Sequence, residues 1–263
     1  MIQEPMPADP NAIRTNLLTT FDYFSTNNPL IWFKRTPTIT RMESDVPFSL
    51  FNVIFDYKKS DQTDVVAEIM AITESYHERG MKCLWYTYSH DLDPAVIEAL
   101  KSNGYVHTGK MAGMSLSLEN GKFQIEEVPG LKIHTVHNEQ EFDLFRQTFI
   151  AEYGLSEELE ASVVRIFADD PDGKAEYYVA YLDDTAVGTL MTYGEGDVKG
   201  IYTVATLKAF RSRGIGSALV SRALCDMQTA GVKQAILQAN AMGQRIYYKL
   251  GFKEELIIDF YSA

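Results

Sequence analysis

Phe210-Arg211-Ser212-Arg213-Gly214-Ile215-Gly216-Ser217-Ala218 follows the apolar run Ile201 to Val204 and opens a stretch of helical periodicity. It reads as strand, tight turn, helix. The start of a helix leaves main-chain amides without intrahelical acceptors, and these amides, with the helix dipole behind them, favour an anion. Gly214 and Gly216 allow the backbone to approach that anion closely, while Arg211 and Arg213 add positive charge beside the helix N-terminus. The stretch predicts a seat for a pyrophosphate.

Two common nucleotide-binding patterns fail at this position. A dinucleotide fold needs a third glycine where Leu219 stands, and an acid for the ribose after the next strand, where Val232 to Gln238 runs into Gln and Asn. A phosphate loop of the Gly-Lys-Ser/Thr kind needs a triplet that occurs nowhere in the chain.

The wider arrangement is Arg211-x-x-Gly214-x-Gly216, a helix, a strand, then Asn240, Gly243 and Ile246-Tyr247-Tyr248-Lys249-Leu250-Gly251-Phe252. It resembles the GNAT superfamily of acyl-CoA-dependent N-acyltransferases, whose pattern is R/Q-x-x-G-x-G/A and, after a strand, N-x-x-A-x-x-L-Y-x-K-L-G-F. Asn240 stands seven residues before Tyr247, as the family spacing requires, and the departures are Gly243 for Ala and Ile246 for Leu. The resemblance covers about the C-terminal half, and the two motifs at their correct separation are far more specific together than either is alone. It implies an α/β fold of the GNAT type, an α+β mixed sheet, with acetyl-CoA (coenzyme A) as acyl donor. Arg211, Ser212, Arg213, Gly214, Ile215, Gly216 and Ser217 would surround the pyrophosphate. The strand end at Thr203, Val204 and Ala205 would pair through its backbone with the pantetheine arm, and Asn240 and Tyr247 would complete the coenzyme site.

By the same resemblance Tyr247 is the catalytic residue that protonates the departing sulfur. A phenol of ordinary pKa, about 10, is protonated at neutral pH and able to donate. Without the alignment either Tyr247 or Tyr248 would read as a core aromatic, since the chain has 15 tyrosines. An amine acceptor of pKa about 10.4 must lose a proton before attack. Glu152, near the end of a helix in the catalytic half, is the acceptor-site candidate. Glu195 and Asp197 lie in the turn Gly194-Glu195-Gly196-Asp197, where acids are usually solvated. Ordered water would serve as well as a carboxylate. Two alternatives remain open at this point: a CoA-binding or sensing module that transfers nothing, and a transferase using another acyl donor or acceptor.

Composition narrows the partners. The 263 residues carry 46% hydrophobic and 23% charged side chains, ordinary for a globular protein. A net charge of -12, with both halves acidic, argues against nucleic acid and weakly favours a cationic small molecule or a peptide amine. Acids crowd the segment from Glu152 to Asp172, more simply a solvated face than an acceptor lip. No apolar run is long enough to span a membrane, and the start Met1-Ile2-Gln3-Glu4-Pro5 lacks a signal-peptide layout, so the expectation is a cytoplasmic protein away from membranes. Cys83 and Cys225 read as buried reduced thiols. His134 and His137 stand near no cysteine and form no zinc signature, so no metal is expected. Oligomeric state is not encoded in these patterns.

The first half looks like a worn copy of the second. Helix Asp64 to Gly80, strand Met81 to Tyr88, helix Pro94 to Asn103 and a strand from Tyr105 match in order and length helix Ile215 to Ala230, strand Val232 to Gln238, helix Gly243 to Leu250 and a strand from Phe252. Where the second half has its glycine loop, the first has Asp56-Tyr57-Lys58-Lys59-Ser60-Asp61-Gln62-Thr63, without glycine and with acids that repel phosphate. The turn-rich segment at 120–128 suggests a cut into residues 1–124, a degenerate GNAT-like domain without the coenzyme loop, and 125–263, the catalytic domain. An opening helix from Asn11 to Phe24 is expected to pack through Ile13, Leu17, Phe21 and Phe24. The second half should run strand Leu131 to Thr135, helices Glu139 to Tyr153 and Ser156 to Phe167, then strands at Ala175–Leu182, Ala186–Thr192 and Val198–Ala205.

Overall fold

A computed structural model describes residues 10–26, 28–60, 64–119, 121–153 and 173–263. The expected helix Ser156 to Phe167 lies outside them. In chain order the elements are α1 (Pro10–Thr26), β1 (Ile31–Arg35), β2 (Ile39–Ser44), β3 (Val53–Tyr57), α2 (Val65–His77), β4 (Leu84–Tyr88), α3 (Pro94–Ser102) and β5 (Val106–Ser117). They continue with β6 (Leu131–Thr135), α4 (Glu139–Tyr153), β7 (Ala175–Leu182), β8 (Thr185–Tyr193), β9 (Val198–Thr206), α5 (Ile215–Thr229), β10 (Gln234–Ala239), α6 (Gln244–Lys249) and β11 (Lys253–Ser262). None of the described helices is long and apolar enough to cross a membrane.

The chain forms two contact units. The described residues of the first fall within Met1–Thr20 and Ala112–Glu255, and its strands lie in the order β5-β10-β9-β8-β7-β6. The strands β6 to β9 pair antiparallel in sequence order, each joined to the next by hydrogen bonding with its neighbour. β10 then adds parallel to β9, from Val198 opposite Gln234 to Ile201 opposite Leu237. A parallel neighbour requires a crossover connection, and α5 supplies it. This helix buries Ile215, Ala218, Leu219, Ala223, Leu224 and Met227, a face set by their three- and four-residue spacing. Each of the large side chains among them contributes roughly 1.5–3 kcal/mol by leaving water. The first turns of α1 belong to the same unit. Asn16 Nδ2 donates to the Tyr193 carbonyl at 3.2 Å, and the Tyr202 hydroxyl donates to Asn16 Oδ1 at 2.5 Å.

The second unit comprises Phe21–Met111 and Leu256–Ala263, with strand order β1-β2-β3-β4-β11. Here β3 and β4 are the parallel pair and α2 the crossover. Ile54, Ile69, Tyr76, Trp85, Leu100 and Tyr105 form its buried core between strands and helices. Helices α2 and α5 end alike: Met81 N donates to the Tyr76 carbonyl and Val232 N to the Met227 carbonyl, both at 3.0 Å. This is the six-to-one bond of a glycine-terminated helix.

The strands and the contact units add to the sequence reading. β1, β2 and β3 are additional to the expected pattern; in β3, Val53, Ile54 and Phe55 are consecutively buried and so show no alternation. The contact units also divide the chain elsewhere than 124/125. The last strand of the first half, β5, pairs through Ala112–Ser117 with β10, and the last strand of the second, β11, pairs through Ile258–Ser262 with β4. Strand partners far apart in sequence leave no local mark.

Candidate active site

The first unit contains an opening in its sheet. The parallel ladder stops at Ile201 and Leu237, although β9 runs on to Thr206 and β10 to Ala239. The cause lies on the other side of β9. Thr189 of β8 faces Ala205 and Met191 faces Tyr202, so β9 carries one residue more than β8 across this interval. The extra residue is absorbed at Thr203, whose φ of 49° is unusual for a β-branched side chain. Thr189 Oγ1 donates to the Thr203 carbonyl at 3.1 Å and holds the bulge. The Thr203 hydroxyl is buried without a hydrogen-bond partner among the described residues. An orphaned buried hydroxyl costs about 1–3 kcal/mol until something satisfies it. Thr203, Val204 and Ala205 thus present a bent strand edge that no neighbouring strand uses.

Immediately beyond, the chain makes one 3-10 turn at Lys208–Phe210 and reaches α5. Leu207 N donates to the Val187 carbonyl at 2.9 Å, which ties the loop to β8. Gly214 caps α5 in the left-handed region, with φ 84° and no side-chain hydrogen bond to the helix. The first intrahelical bond runs from Ala218 N to the Gly214 carbonyl at 2.9 Å, so the amides of Ile215, Gly216 and Ser217 precede the ladder. The helix start sits hard against β8 because residue 188 is glycine. A Cβ there would lie 2.9 Å from the Ala205 carbonyl oxygen and 3.2 Å from Ile215 Cγ2.

The two loop arginines behave differently. Arg211 donates from Nε to the Thr206 carbonyl at 3.2 Å, and its guanidinium forms an ion pair with Glu152 in the last turn of α4. Arg213 lies over the Phe210 ring at 5.3 Å and stays exposed, as does Ser212. Glu152, read from the sequence as an acceptor-side acid, is therefore joined by Arg211 to the loop that leads into α5. Nothing local in the sequence pairs these two residues, which lie on different elements.

The second motif closes the other side. Asn240 Oδ1 accepts a hydrogen bond from Gly243 N at 2.9 Å, turning the chain into α6. Tyr247 points inward, 8% exposed, with its ring edge-on to Phe252 at 5.9 Å. A Cβ on residue 243 would lie 3.0 Å from Tyr247 Cε2, so the glycine standing in place of the family alanine makes room for the ring. Tyr248 is half exposed and donates to Glu254 Oε2 at 3.0 Å, a bond that raises its pKa. Ile246 Cδ1 would lie 3.6 Å from a Cβ on Gly216, so α6 and the start of α5 adjoin.

The remaining candidates are occupied elsewhere. Glu195 pairs with Lys174 at 2.6 Å and Asp197 with Lys233 at 2.8 Å. Cys83 is buried, Cys225 partly so, neither forms a disulfide, and burial pushes both thiols up in pKa. Among the described residues no group of three or more His, Cys, Asp or Glu side chains could hold a metal. Sequence reasoning missed Asn16 and Thr20 on α1, which together hold the Tyr202 hydroxyl beside the bulge. Their four-residue spacing along an otherwise apolar helical face was the available signal.

A sheet opened beside a strand bulge, followed by a helix with an uncapped N-terminus, defines the class of the acyltransferases of the GNAT fold. Residues 173–254, from just before β7 into β11, match the family described as Acetyltransferase (GNAT) domain. Similar solved structures extend the likeness of fold to nearly the whole chain. A GCN5-related N-acetyltransferase from Kribbella flavida has a TM-score of 0.69 at 17% identity, over 97% of this chain and 96% of that one. A GCN5-related N-acetyltransferase from Sphaerobacter thermophilus gives 0.66 at 13% identity, over 86% and 80%. A tandem GNAT protein from the clavulanic acid biosynthesis pathway gives 0.64 at 12% identity, over 98% and 97%. No curated protein matches the sequence.

Proposed function

We propose that the protein transfers an acetyl group from acetyl-CoA to the amine of a small molecule or peptide by direct attack, with Tyr247 as general acid. The observation that carries this reading is the opened edge of β9 at Thr203–Ala205 leading directly to the unused amides at the start of α5. Acetyl-CoA supplies a thioester, whose carbonyl is open to attack by a neutral amine. The backbone of Thr203, Val204 and Ala205 holds the amide-bearing arm, and the amides of Gly214 to Ser217 hold the diphosphate. Arg211, fastened to Glu152, braces the loop, while Arg213 and Ser212 face the anion from solvent. Asn240 sets the start of α6, and Tyr247 on that helix delivers a proton to the departing sulfur. Residues 125–263 contribute this machinery, and residues 1–124 contribute no coenzyme loop. The unpaired cysteines accord with the cytoplasm.

Acetyl-CoA-dependent thiol release across a panel of amines tests the assignment. Tyr247→Phe should lower kcat about a hundredfold and leave the dissociation constant for CoA unchanged. Undiminished turnover in the variant would remove Tyr247 from its role, and absence of heat on titrating CoA into the folded protein would remove the site.

A further inference from the structure

The second unit contains an opening of the same kind. The parallel ladder between β3 and β4 covers Val53 opposite Leu84 and Ile54 opposite Trp85, after which β3 runs on to Tyr57 and β4 to Tyr88. A cavity of about 330 Å³ lies there, with Tyr57, Trp85, Thr87, Val96 and Ile97 among its walls. We propose that this cavity is a second ligand site, taking an uncharged secondary-amide chain that carries no phosphate.

Three observations shape the ligand. Strand edges without a ladder between them pair with extended backbone-like amides. Thr87, which lines the cavity, is 9% exposed and its hydroxyl is buried with no hydrogen-bond partner among the described residues, a polar atom that a ligand amide would satisfy. The volume stands at the small end of the roughly 300–1,000 Å³ of ligand pockets, enough for a blocked dipeptide or the inner part of a pantetheine arm and too small for a nucleotide as well. The Tyr57 ring meets Trp85 edge-on at 5.6 Å, and its hydroxyl is engaged by Glu68, which makes that wall rigid and apolar.

Phosphate is excluded by what surrounds the cavity. The α2 start, counterpart of the α5 start, is closed by its own residue: Asp64 Oδ1 accepts from Val66 N at 3.0 Å and from Ala67 N at 3.2 Å. Lys59 at the rim is paired with Asp93 at 3.0 Å, and Asp56 and Asp91 also line the opening. With Lys58 and Lys59 against Asp56, Asp91 and Asp93, the local charge is net negative, which repels a polyanion and tolerates a neutral chain.

Trp85 makes the site observable. The other tryptophan, Trp32, is 41% exposed and can be replaced. In the full chain carrying Trp32→Phe, and with Gly216→Glu to silence the coenzyme loop, emission from Trp85 is followed while N-acetylalanine methylamide, pantetheine or CoA is added. The amide probes should produce a saturable change, with pantetheine half-saturating below about 1 mM for a ligand of its size. Ile97→Phe, which fills the cavity, and Thr87→Val, which removes the hydroxyl, should each weaken binding tenfold or more with the unfolding midpoint retained. If one variant does not fold, the other decides. No saturable change with either amide probe, or a change that Ile97→Phe leaves intact, overturns the site. CoA binding as tightly as pantetheine overturns the exclusion of phosphate. Because the coenzyme loop is disabled throughout, neither result bears on the acetyl-transfer reading.

Discussion

The two segments from β3 to β5 and from β9 to β11 share one plan, strand, loop, helix, strand, helix, strand, and differ most where a helix begins. At α5 the cap is Gly214, which offers no side chain to the first amides. At α2 the cap is Asp64, whose carboxylate takes the amides of Val66 and Ala67. Both helices satisfy the same local need, one by a side chain of its own and the other, in our reading, by a ligand. A single capping position thus separates the proposed anion seat from a closed helix end on a common framework. The openings beside these helices are retained in both segments, since the parallel ladder ends early in each.

The largest effect should come from putting charge on the open helix end. Gly216→Glu places a carboxylate near the proposed diphosphate seat, and a like-charge contact at about 4 Å costs on the order of 4 kcal/mol in a surface environment. Affinity for CoA should fall about a thousandfold. Val66→Glu, at the matching position of the closed helix, should change it less than about twofold. Calorimetric titration of both variants breaks the comparison if they respond alike.

A smaller effect is expected at Gly188. Gly188→Ala drives a methyl group against the Ala205 carbonyl and Ile215, which must shift at a cost of about 1–3 kcal/mol. Urea unfolding should show that loss, and CoA should bind more weakly because the α5 start moves from the bulge. Unchanged affinity in a destabilised variant would show that the site tolerates displacement of its helix.

The smallest concerns acid. Asp93 caps α3 by accepting from Ala95 N, and its carboxyl is held below its ordinary value, first by Lys59 and then by that amide. A depressed carboxyl stabilises the fold fully above its unfolded pKa and ceases to do so as pH falls through the folded value. Asp93→Asn should flatten that acid limb of the stability curve without altering CoA affinity at neutral pH. An unchanged limb would take Asp93 out of the account.

How far these features could be read beforehand depended on their range. α4 and β7 begin and end where the periodicity places them, and α5 and α3 differ from expectation by a residue at most. Tyr247 and Tyr248 could be told apart from the sequence by the family alignment, and the structure gives the physical distinction, one ring buried against Phe252 and the other exposed beside Glu254. β3 escaped notice because its first three residues are consecutively buried and leave no alternation to see. The pairing of Glu152 with Arg211 was equally invisible, since the acid reads as one of several in its region and the arginine as a phosphate ligand.

From its residues alone this chain determined its helices among the described residues, the glycine-capped loop, the internal repetition and the absence of that loop from the first copy. Each rests on spacing or capping within a few positions, where backbone geometry and side-chain periodicity act locally. Tertiary structure decided which strands pair, where β9 bulges at Thr203, how Asn16 holds Tyr202 and what Arg211 grips. Asn16 and Tyr202, like Glu152 and Arg211, lie scores of positions apart, and hydrogen bonding between such partners exists only once the chain has closed on itself.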